Sequence, residues 1–539
     1  FMGSENHQWT YTYEEAKAKG FATIDYYNEK MLEECNLEVT LNIIDNESYK
    51  TTLSGYLAAD TLDDCFMPGG GNMDTDVRTN AINSGRFADI NDIAAYSNGT
   101  FSGLIADGGD YQYLKAWNIA PDGGWYMIGC ADGNGTSLNL DHDDVDYLVN
   151  WPLHTWYNLN IRVDWLNKCS LTMPTTTEEF AEALVQFQEQ DANGNGNPDD
   201  EIPMATWFGA TDTFGSYNLF YRFTGAFGCA DSYCGGNSYA DHLRMVDGKV
   251  TFTATDEAFK KTAEFFNMLY EEGLIWNGSF EADESMSFKS SLIKENVAKI
   301  GSFGVWGDQE ITNQEVHDQY VAVPRLQGED GMTGFECNYS ELQDSSDTAI
   351  TTTCKFPHVV ARFVDYMVGD PEISVTSNWG AIGYNYEKDE DGVLRTPLDE
   401  NGNYKPLNPE YKNFGEARVN STTCRGSMIV QNEYYDTVCG YTFDAVKLLE
   451  MQKENGKDDI MEEYDTIPRV LMTQEEIQRL AQIQPTVSDI VDRYITTWVT
   501  GGVDDASWES YKTELEGAGL SELVEIYQGA VDRAASAAN

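Results

Sequence analysis

Helix-like and strand-like patterns of apolar residues alternate along the whole chain. The pattern predicts a helix from Glu14 to about Cys35, and the β-branched run from Leu37 to Ile44 predicts a strand directly after it. The alternation continues to the C-terminus without an internal repeat of about 20–50 residues, which argues against solenoids and propellers. The sequence therefore predicts an α/β fold.

Two helices carry clear start and stop signals. Thr176 and Glu179 form a capping-box pattern, which predicts a helix from Thr176 to about Gln190 with one apolar face. A second helix is predicted over 256–272, and Gly273 follows it in the position where a left-handed turn ends a helix. Both patterns are typical of packed amphipathic helices.

The last third of the chain contains one predicted hairpin and one predicted helical layer. Clusters of Asp, Asn and Gly between Asn385 and Tyr404 bracket the short strand-like run at 393–395, which predicts a surface β-hairpin. The segment from Thr473 to Ala537 has helical patterns throughout, and we expect it to close one lobe as a helical layer.

Length and charge narrow the class of protein. A chain of 539 residues with 41% hydrophobic residues exceeds what one core organises, so two lobes are expected. The 34 Lys and Arg against 90 Asp and Glu give a net charge of -56. Such a field repels nucleic acid, anionic lipid and polyanionic substrates, and it favours a neutral or cationic ligand and a monomeric protein.

The ten cysteines and the N-terminus give weaker signals. No CxxC pair or metal-ligand spacing occurs, so no zinc site is predicted. Cys229 and Cys234 either close a small disulfide loop or are buried free thiols. No run of about 18 apolar residues could span a bilayer. The opening residues 1–4 look like an expression scar, and we expect that a signal peptide or lipid-bearing cysteine has been removed.

One loop has the pattern of a calcium site. Starting at Asp191, oxygen-bearing side chains occupy positions 1, 3, 5 and 9, and Gly196 stands at the sixth position, where a tight turn is needed. Position 12 is Ile202, so the loop is not a complete EF-hand, and the bidentate ligand must come earlier, from Asp200 or else from Glu201. The predicted ligands of a structural Ca²⁺ are Asp191, Asn193, Asn195, Asn197, Asp199 and Asp200. The alternative is a solvated Asn/Gly turn.

At this loop the sequence resembles a known family. The matching segments are 162–168, 173–180, 201–203, 259–275, 320–324 with 328–331, and 380–384. In that order they resemble extracellular solute-binding proteins of family 1, and among these the larger lipoproteins that include the alginate-binding, calcium-loop-containing proteins. The resemblance covers most of the chain. It implies two α/β lobes of the periplasmic-binding-protein type, closing by a hinge motion on a ligand held between them.

The resemblance also implies a partner, a location and a division of the chain. The partners would be an oligosaccharide ligand and the permease subunits of an ABC importer, and the protein would be lipid-anchored outside the cell membrane or periplasmic. The expected N-terminal lobe comprises residues 1–125 and 305–375. The expected C-terminal lobe comprises residues 126–304 and 376–539, with the calcium loop at 191–201 and the C-terminal helices.

Aromatic residues beside turns are the candidate ligand contacts. Sugars present C–H faces edged by hydroxyls, so a sugar site combines aromatic platforms with polar side chains. Aromatic residues make up 12% of the chain although its mean hydropathy is only -0.46, and several stand next to glycine, where backbone can approach a ligand. The candidates are Trp125, Tyr126, Trp207, Trp306, Asp308, Gln309, Trp379 and Tyr384. Each indole alone is more often a core residue.

Binding of a neutral oligosaccharide without chemical change is the predicted function. An anionic sugar such as alginate is disfavoured, because no basic cluster accompanies the aromatic candidates. A protein of the same architecture that binds peptides or amino-acid derivatives is the alternative. A glycoside hydrolase is third, since among 90 acidic residues any carboxylate pair can be selected and no catalytic motif occurs. The acidic run around His142 is interpreted as a solvated loop.

Overall fold

A computed structural model describes most of the chain. The described residues are 2–4, 18, 24–40, 42–44, 46–67, 75–106, 108–109, 112, 115, 118–132, 158–197, 199–208, 218–229, 231, 242–281, 288, 292, 299–305, 319–324, 326–328, 337–338, 344–380, 382–383, 386–390, 392, 394–395, 397, 405, 407, 429–431, 461–467 and 470–538.

The described residues form sixteen strands. They are β1 Met2–Ser4, β2 Asn42–Ile44, β3 Cys65–Met67, β4 Ile128–Asp132, β5 Asn158–Arg162, β6 Ile202–Ala205, β7 Leu243–Val246, β8 Lys249–Phe252, β9 Ile300–Val305, β10 Tyr320–Ala322, β11 Cys337–Asn338, β12 Asp344–Ile350, β13 Glu387–Lys388, β14 Leu394–Arg395, β15 Ile429–Val430 and β16 Met461–Thr466.

Fourteen α-helices lie between and after these strands in the described parts. They are α1 Ile24–Cys35, α2 Asn46–Ala59, α3 Thr75–Asn83, α4 Ile90–Ala94, α5 Thr100–Leu104, α6 Val163–Lys168, α7 Thr177–Glu189, α8 Phe220–Phe223, α9 Glu257–Glu271, α10 Pro357–Gly369, α11 Pro371–Trp379, α12 Gln474–Gly501, α13 Asp505–Ala518 and α14 Leu520–Ala538. Short 3₁₀ helices occupy Thr224–Phe227, Thr253–Thr255 and Asn277–Phe280.

The first sheet has six strands in the order β15-β4-β12-β3-β1-β2. Strand β12 runs antiparallel to its neighbours β3 and β4, whereas the other described pairings are parallel. One face packs against α4, α5 and α10 around Trp125, Ile128 and Val364, and the other carries a smaller core that includes Leu53 and Phe87. These elements form the first lobe.

A buried carboxylate joins two helices of this lobe. Asp365 of α10 accepts hydrogen bonds from Ser97 Oγ at 2.5 Å, from the Asn98 main-chain N–H and from Phe101 N at 2.9 Å. These donors lie just before and within the first turn of α5, where main-chain N–H groups have no helical partner. The side chain therefore caps α5 from a neighbouring helix.

The second lobe contains two four-stranded sheets. Their orders are β10-β5-β9-β6 and β11-β16-β7-β8. A large core runs from Trp165 and Phe187 through Phe266 to Trp498 and Tyr511, and it joins α7 and α9 to the three C-terminal helices. A separate small cluster surrounds Trp207, Phe303 and Tyr320.

Among the described strands the chain passes between the lobes three times, and each passage joins the first sheet at the carboxyl ends of its parallel strands. The passages run from β4 to β5, from β11 to β12 and from β15 to β16. Val430 lies opposite Asp132, and Asp344 lies opposite Cys130, so all three join the carboxyl ends of the parallel strands. In the second lobe Asn158, where the first passage arrives, pairs with Val305 at the carboxyl end of β9.

These sheets differ from the expected division of the chain. Tyr320–Ala322 pairs with β5, although residues 305–375 were expected in the N-terminal lobe. Ile429 belongs to the first core, although residues 376–539 were expected in the C-terminal lobe, and Ile128 lies there as well, although 126–304 were placed with the C-terminal lobe. We therefore propose a first lobe of residues 2–132 and 344–430 and a second lobe of residues 158–338 and 461–538.

Elements predicted from local signals agree with the structure. Helices α7 and α9 lie within one residue of the predicted bounds, Thr176 caps the first of them, and Gly273 has a φ of +73° after the second. The hairpin β13–β14 and the C-terminal helices are also present. The early strand is shorter than predicted, at Asn42–Ile44, and the early helix is described from Ile24 onward. Cys229 is buried, and Cys234 lies outside the described residues.

Candidate functional site

The predicted calcium loop folds into a compact turn with its side chains bent inward. The carboxylate of Asp191 accepts a hydrogen bond from Gly196 N at 3.2 Å. Asn193 Oδ1 accepts from Asn195 N at 2.9 Å, and Asn195 Oδ1 accepts from Asn197 N at 2.8 Å. Side-chain oxygens from alternate residues are therefore held by the loop's own main chain, as the spacing predicts.

Two acidic residues at the end of the loop have different surroundings. Asp200 accepts from the side-chain amides of Asn193 at 2.9 Å and Asn195 at 3.0 Å. Hydrogen bonds from Lys299, Asn193 and Asn195 lower the pKa of Asp200 to about 2, so it is ionised at neutral pH. Glu201 Oε1 accepts from Asn193 N at 3.2 Å, whereas its Oε2 is buried and has no hydrogen-bond partner among the described residues.

This set of oxygens fits a hard divalent cation. Calcium takes six to eight oxygen ligands from carboxylates, amides and main-chain carbonyls, and it accepts irregular geometry. The unsatisfied buried oxygen of Glu201 and the ionised Asp200 would both gain a partner from such an ion. In the described part of the chain no group of three or more His, Cys, Asp and Glu is placed to hold a metal.

Trp125 and Tyr126 lie at the opposite end of β4 from the point where the chain leaves the first lobe. They precede β4, and the chain leaves after Asp132, at the carboxyl end of that strand. The indole of Trp125 is 1% exposed and stacks on Phe101 at 6.2 Å between ring centroids. The phenol of Tyr126 donates to Asp122 at 2.8 Å, which raises its pKa to about 12.

The remaining candidates lie after a second-lobe strand, at the end of α11 in the first lobe, or outside the described residues. Trp207 comes two residues after β6, and its indole is 1% exposed in the cluster with Phe303 and Tyr320. In this structure Trp125 and Trp207 are core residues without an exposed face. Trp379 ends α11, but its side chain is not described. Trp306, Asp308, Gln309 and Tyr384 lie outside the described residues.

Two lysines that contact the calcium loop have no counterpart in the predictions. Lys299 Nζ lies 2.9 Å from Asp200 Oδ2, and Lys168 Nζ donates to the main-chain oxygen of Asp191. Their positions in the chain are far from the carboxylates they contact, so no local pattern could have identified them.

No helix within the described ranges has both the length and the apolar character needed to cross a membrane.

The sequence is similar to the substrate-binding protein of a bacterial transporter and to a bacterial lipoprotein. It is 30% identical over 423 residues, 78% of this chain and 71% of the relative, to the fructooligosaccharide ABC transporter substrate-binding protein FusA of Streptococcus pneumoniae serotype 4 (strain ATCC BAA-334 / TIGR4). It is 29% identical over 284 residues to lipoprotein LipO of Bacillus subtilis (strain 168), which is 51% of this chain and 50% of the relative. None of the protein-family models matches the sequence.

Solved structures confirm the predicted two-lobed fold. FusA in complex with kestose superimposes with a TM-score of 0.69 at 24% identity, covering 99% of both chains, and an EF-hand mutant of FusA with fructo-nystose gives the same values. The alginate-binding protein AlgQ2 without calcium ion gives a TM-score of 0.65 at 17% identity, over 98% of this chain and 97% of that one. At such identities the likeness concerns the fold.

Proposed function

The chain belongs to the substrate-binding proteins of ABC transporters, and from that premise we propose that it captures a neutral oligosaccharide between its lobes and delivers it to the permease subunits. Substrate-binding proteins hold their cargo without altering it, so we propose no catalytic residues. Support for a sugar comes from the relatives: FusA is named for fructooligosaccharides and is solved with kestose. A neutral sugar also suits a protein of net charge -56.

The path of the chain between the lobes is the observation that carries this proposal. All three passages join the first sheet at the carboxyl ends of its parallel strands, and the first enters the second lobe beside the carboxyl end of β9. In open α/β sheets ligands bind outside the carboxyl ends of the strands. The carboxyl ends of strands from the two lobes, connected by three chain segments, would enclose a groove. The connecting segments would act as its hinge.

Chain connectivity then favours some aromatic candidates over others. Trp306, Asp308 and Gln309 follow within four residues of Val305, the last residue of β9, so we propose them as ligand contacts. Trp379 and Tyr384 remain candidates on the sequence argument alone. We leave out Trp125 and Tyr126, which lie at the other end of β4, and Trp207, whose indole is buried as that of Trp125 is.

We further propose that the loop at 191–201 binds one calcium ion with a structural role. Asp191, Asn193, Asn195, Asn197, Asp199 and Asp200 would hold it, with Glu201 as a further acidic ligand. A bound calcium would cross-link these oxygens and neutralise the carboxylates. Support comes from the buried unpaired oxygen of Glu201 and from the EF-hand of FusA. The proposed calcium loop also supports the assignment of this chain to the family 1 solute-binding proteins that resemble the calcium-loop-containing alginate-binding proteins.

The location we propose is the outer face of the membrane, with a lipid anchor on the N-terminal side of the first lobe, or the periplasm. The relatives support it: LipO is a lipoprotein, and FusA serves a transporter. We expect the protein to act as a monomer.

Calorimetry with the full chain tests the function. We expect saturable binding of kestose or another neutral oligosaccharide without product formation, and no binding of alginate oligomers or short peptides. Trp306→Ala should weaken binding at least about tenfold, which is about 1.4 kcal/mol. Tyr96→Ala is the matched control, since Tyr96 is an aromatic residue that is 51% exposed on the first lobe. Turnover of the sugar, or peptide binding with no sugar binding, would contradict the proposal.

A further inference from the structure

Two lysines from separate elements reach the calcium loop. Lys168, the last residue of α6, donates from Nζ to the main-chain oxygen of Asp191, and the same Nζ lies 3.8 Å from Asp191 Oδ2. Lys299 directly precedes β9, and its Nζ lies 2.9 Å from Asp200 Oδ2. Both carboxylates belong to the proposed calcium ligands. Each lysine therefore neutralises part of the negative charge that would bind the metal.

Lys168 lies against the main chain of the loop at Gly194. A Cβ on Gly194 would lie 2.8 Å from Lys168 Nζ, and the residue has a φ of +76°, which side chains rarely adopt. The ammonium group therefore rests directly on the loop's main chain.

The two lysine contacts place cations in a loop that is rich in carboxylates. The loop carries four carboxylates, at Asp191, Asp199, Asp200 and Glu201, within a chain that has 34 Lys and Arg against 90 acids. Four carboxylates in one turn repel each other, and without a metal only nearby cations relieve that repulsion. A lysine ammonium that already pairs with a carboxylate also repels an arriving Ca²⁺.

We propose that Lys168 and Lys299 are built-in counterions of the calcium loop, which hold it folded without metal and weaken its affinity for calcium. This inference rests on the proposed calcium site. Since the lysines compete with the ion, we expect calcium to bind more weakly than it would to the same loop without them.

Calcium titration of the full, chelator-treated chain by calorimetry tests the proposal. Lys299→Met keeps the aliphatic stem and removes the charge, and we expect calcium to bind about tenfold more tightly. Lys299→Arg keeps the charge and should stay close to wild type. Lys249→Met is the matched control: Lys249 is exposed on β8 of the same lobe and forms no ion pair among the described residues, so it corrects for the change in net charge.

A second measurement separates folding from affinity. In chelator, Lys299→Met should lower the melting temperature, because Asp200 loses its partner, and calcium should restore it fully. Equal calcium affinity in wild type and Lys299→Met, or weaker binding in the variant, would overturn the counterion role while leaving the calcium site in place. Absence of calcium binding in every variant would instead overturn the calcium site itself.

Discussion

The first turn of α12 offers a direct test of how the C-terminal helices are held. Glu476 accepts from Thr473 N at 2.7 Å, and Thr473 Oγ accepts from Glu476 N at 3.2 Å, which completes a capping box. Arg533 of α14 donates to both oxygens of the same carboxylate, at 2.8 and 2.7 Å. One side chain therefore caps one helix and ties it to another.

Glu476→Gln keeps the size of this side chain and removes its charge. Hydrogen bonds to charged groups contribute about 1.5–3 kcal/mol each when buried, and exposed ion pairs contribute about 0–1 kcal/mol. Glu476 is 18% exposed and Arg533 37% exposed, so we expect a loss of stability between these limits, about 1–2 kcal/mol. For a lobe of this size that lowers the melting temperature by about 2–6 °C.

The effect should depend on pH in a defined direction. Burial raises the pKa of Glu476, but hydrogen bonds from Arg533 and Thr473 outweigh it and leave the pKa below its ordinary value of 4.5. A lowered pKa in the folded state stabilises the protein above the unfolded pKa, and that stability is lost as the pH falls through the folded value. The difference between wild type and Glu476→Gln should be full near neutral pH and should shrink in acid.

Differential scanning calorimetry of both proteins at several pH values measures this difference. Glu475→Gln is the control, because Glu475 is exposed in the same turn and loses the same charge near the helix start. An equal loss in Glu475→Gln, or a difference that stays undiminished in acid, would refute the assigned role of Glu476.

Two other substitutions test packing in the two lobes, each followed by urea unfolding. Asp365→Asn should destabilise the first lobe by about 2 kcal/mol, because its three bonds at the start of α5 lose their charge, while exposed Asp92→Asn should have little effect. Gly301→Ala should cost about 1–3 kcal/mol, because its Cβ would lie 2.6 Å from the Phe187 ring, whereas Gly55→Ala meets no atom within 4 Å and should be neutral or stabilising.

Local signals were sufficient for the two capped helices and for the turn at 191–201. Thr176 supplies the cap of α7 through its hydroxyl, although the carboxylate of Glu179 bonds to Thr175 and not to Thr176 as a strict capping box requires. The strand predicted over 37–44 is shorter in the structure. Only Asn42–Ile44 pairs with β1, because the extent of a strand is decided by its partner and not by its own β-branched residues.

Trp125, a ligand candidate chosen because it stands beside glycine, is buried in this structure. A glycine beside an aromatic residue predicts room for a ligand, but a Cβ on Gly124 would lie 2.5 Å from the ring of Tyr126. Glycine is required at position 124 because the Tyr126 ring lies where a Cβ would be. The neighbouring Trp125 side chain is buried in the core. The lobe boundaries depend in the same way on pairings between distant strands, such as β5 with β10, that no local pattern encodes.

The proposed calcium loop and the proposed ligand groove lie at opposite ends of the same two strands. Glu201 directly precedes β6 and Lys299 directly precedes β9, and these strands run parallel toward the edge that faces the groove. The four residues of β6 span about 13 Å, so a calcium ion held by the loop cannot touch a sugar in the groove. What the loop can do is fix the amino ends of two strands from whose carboxyl ends Trp207 and Trp306 follow. Calcium removal should therefore lower the stability of the second lobe more than it weakens contact with the sugar.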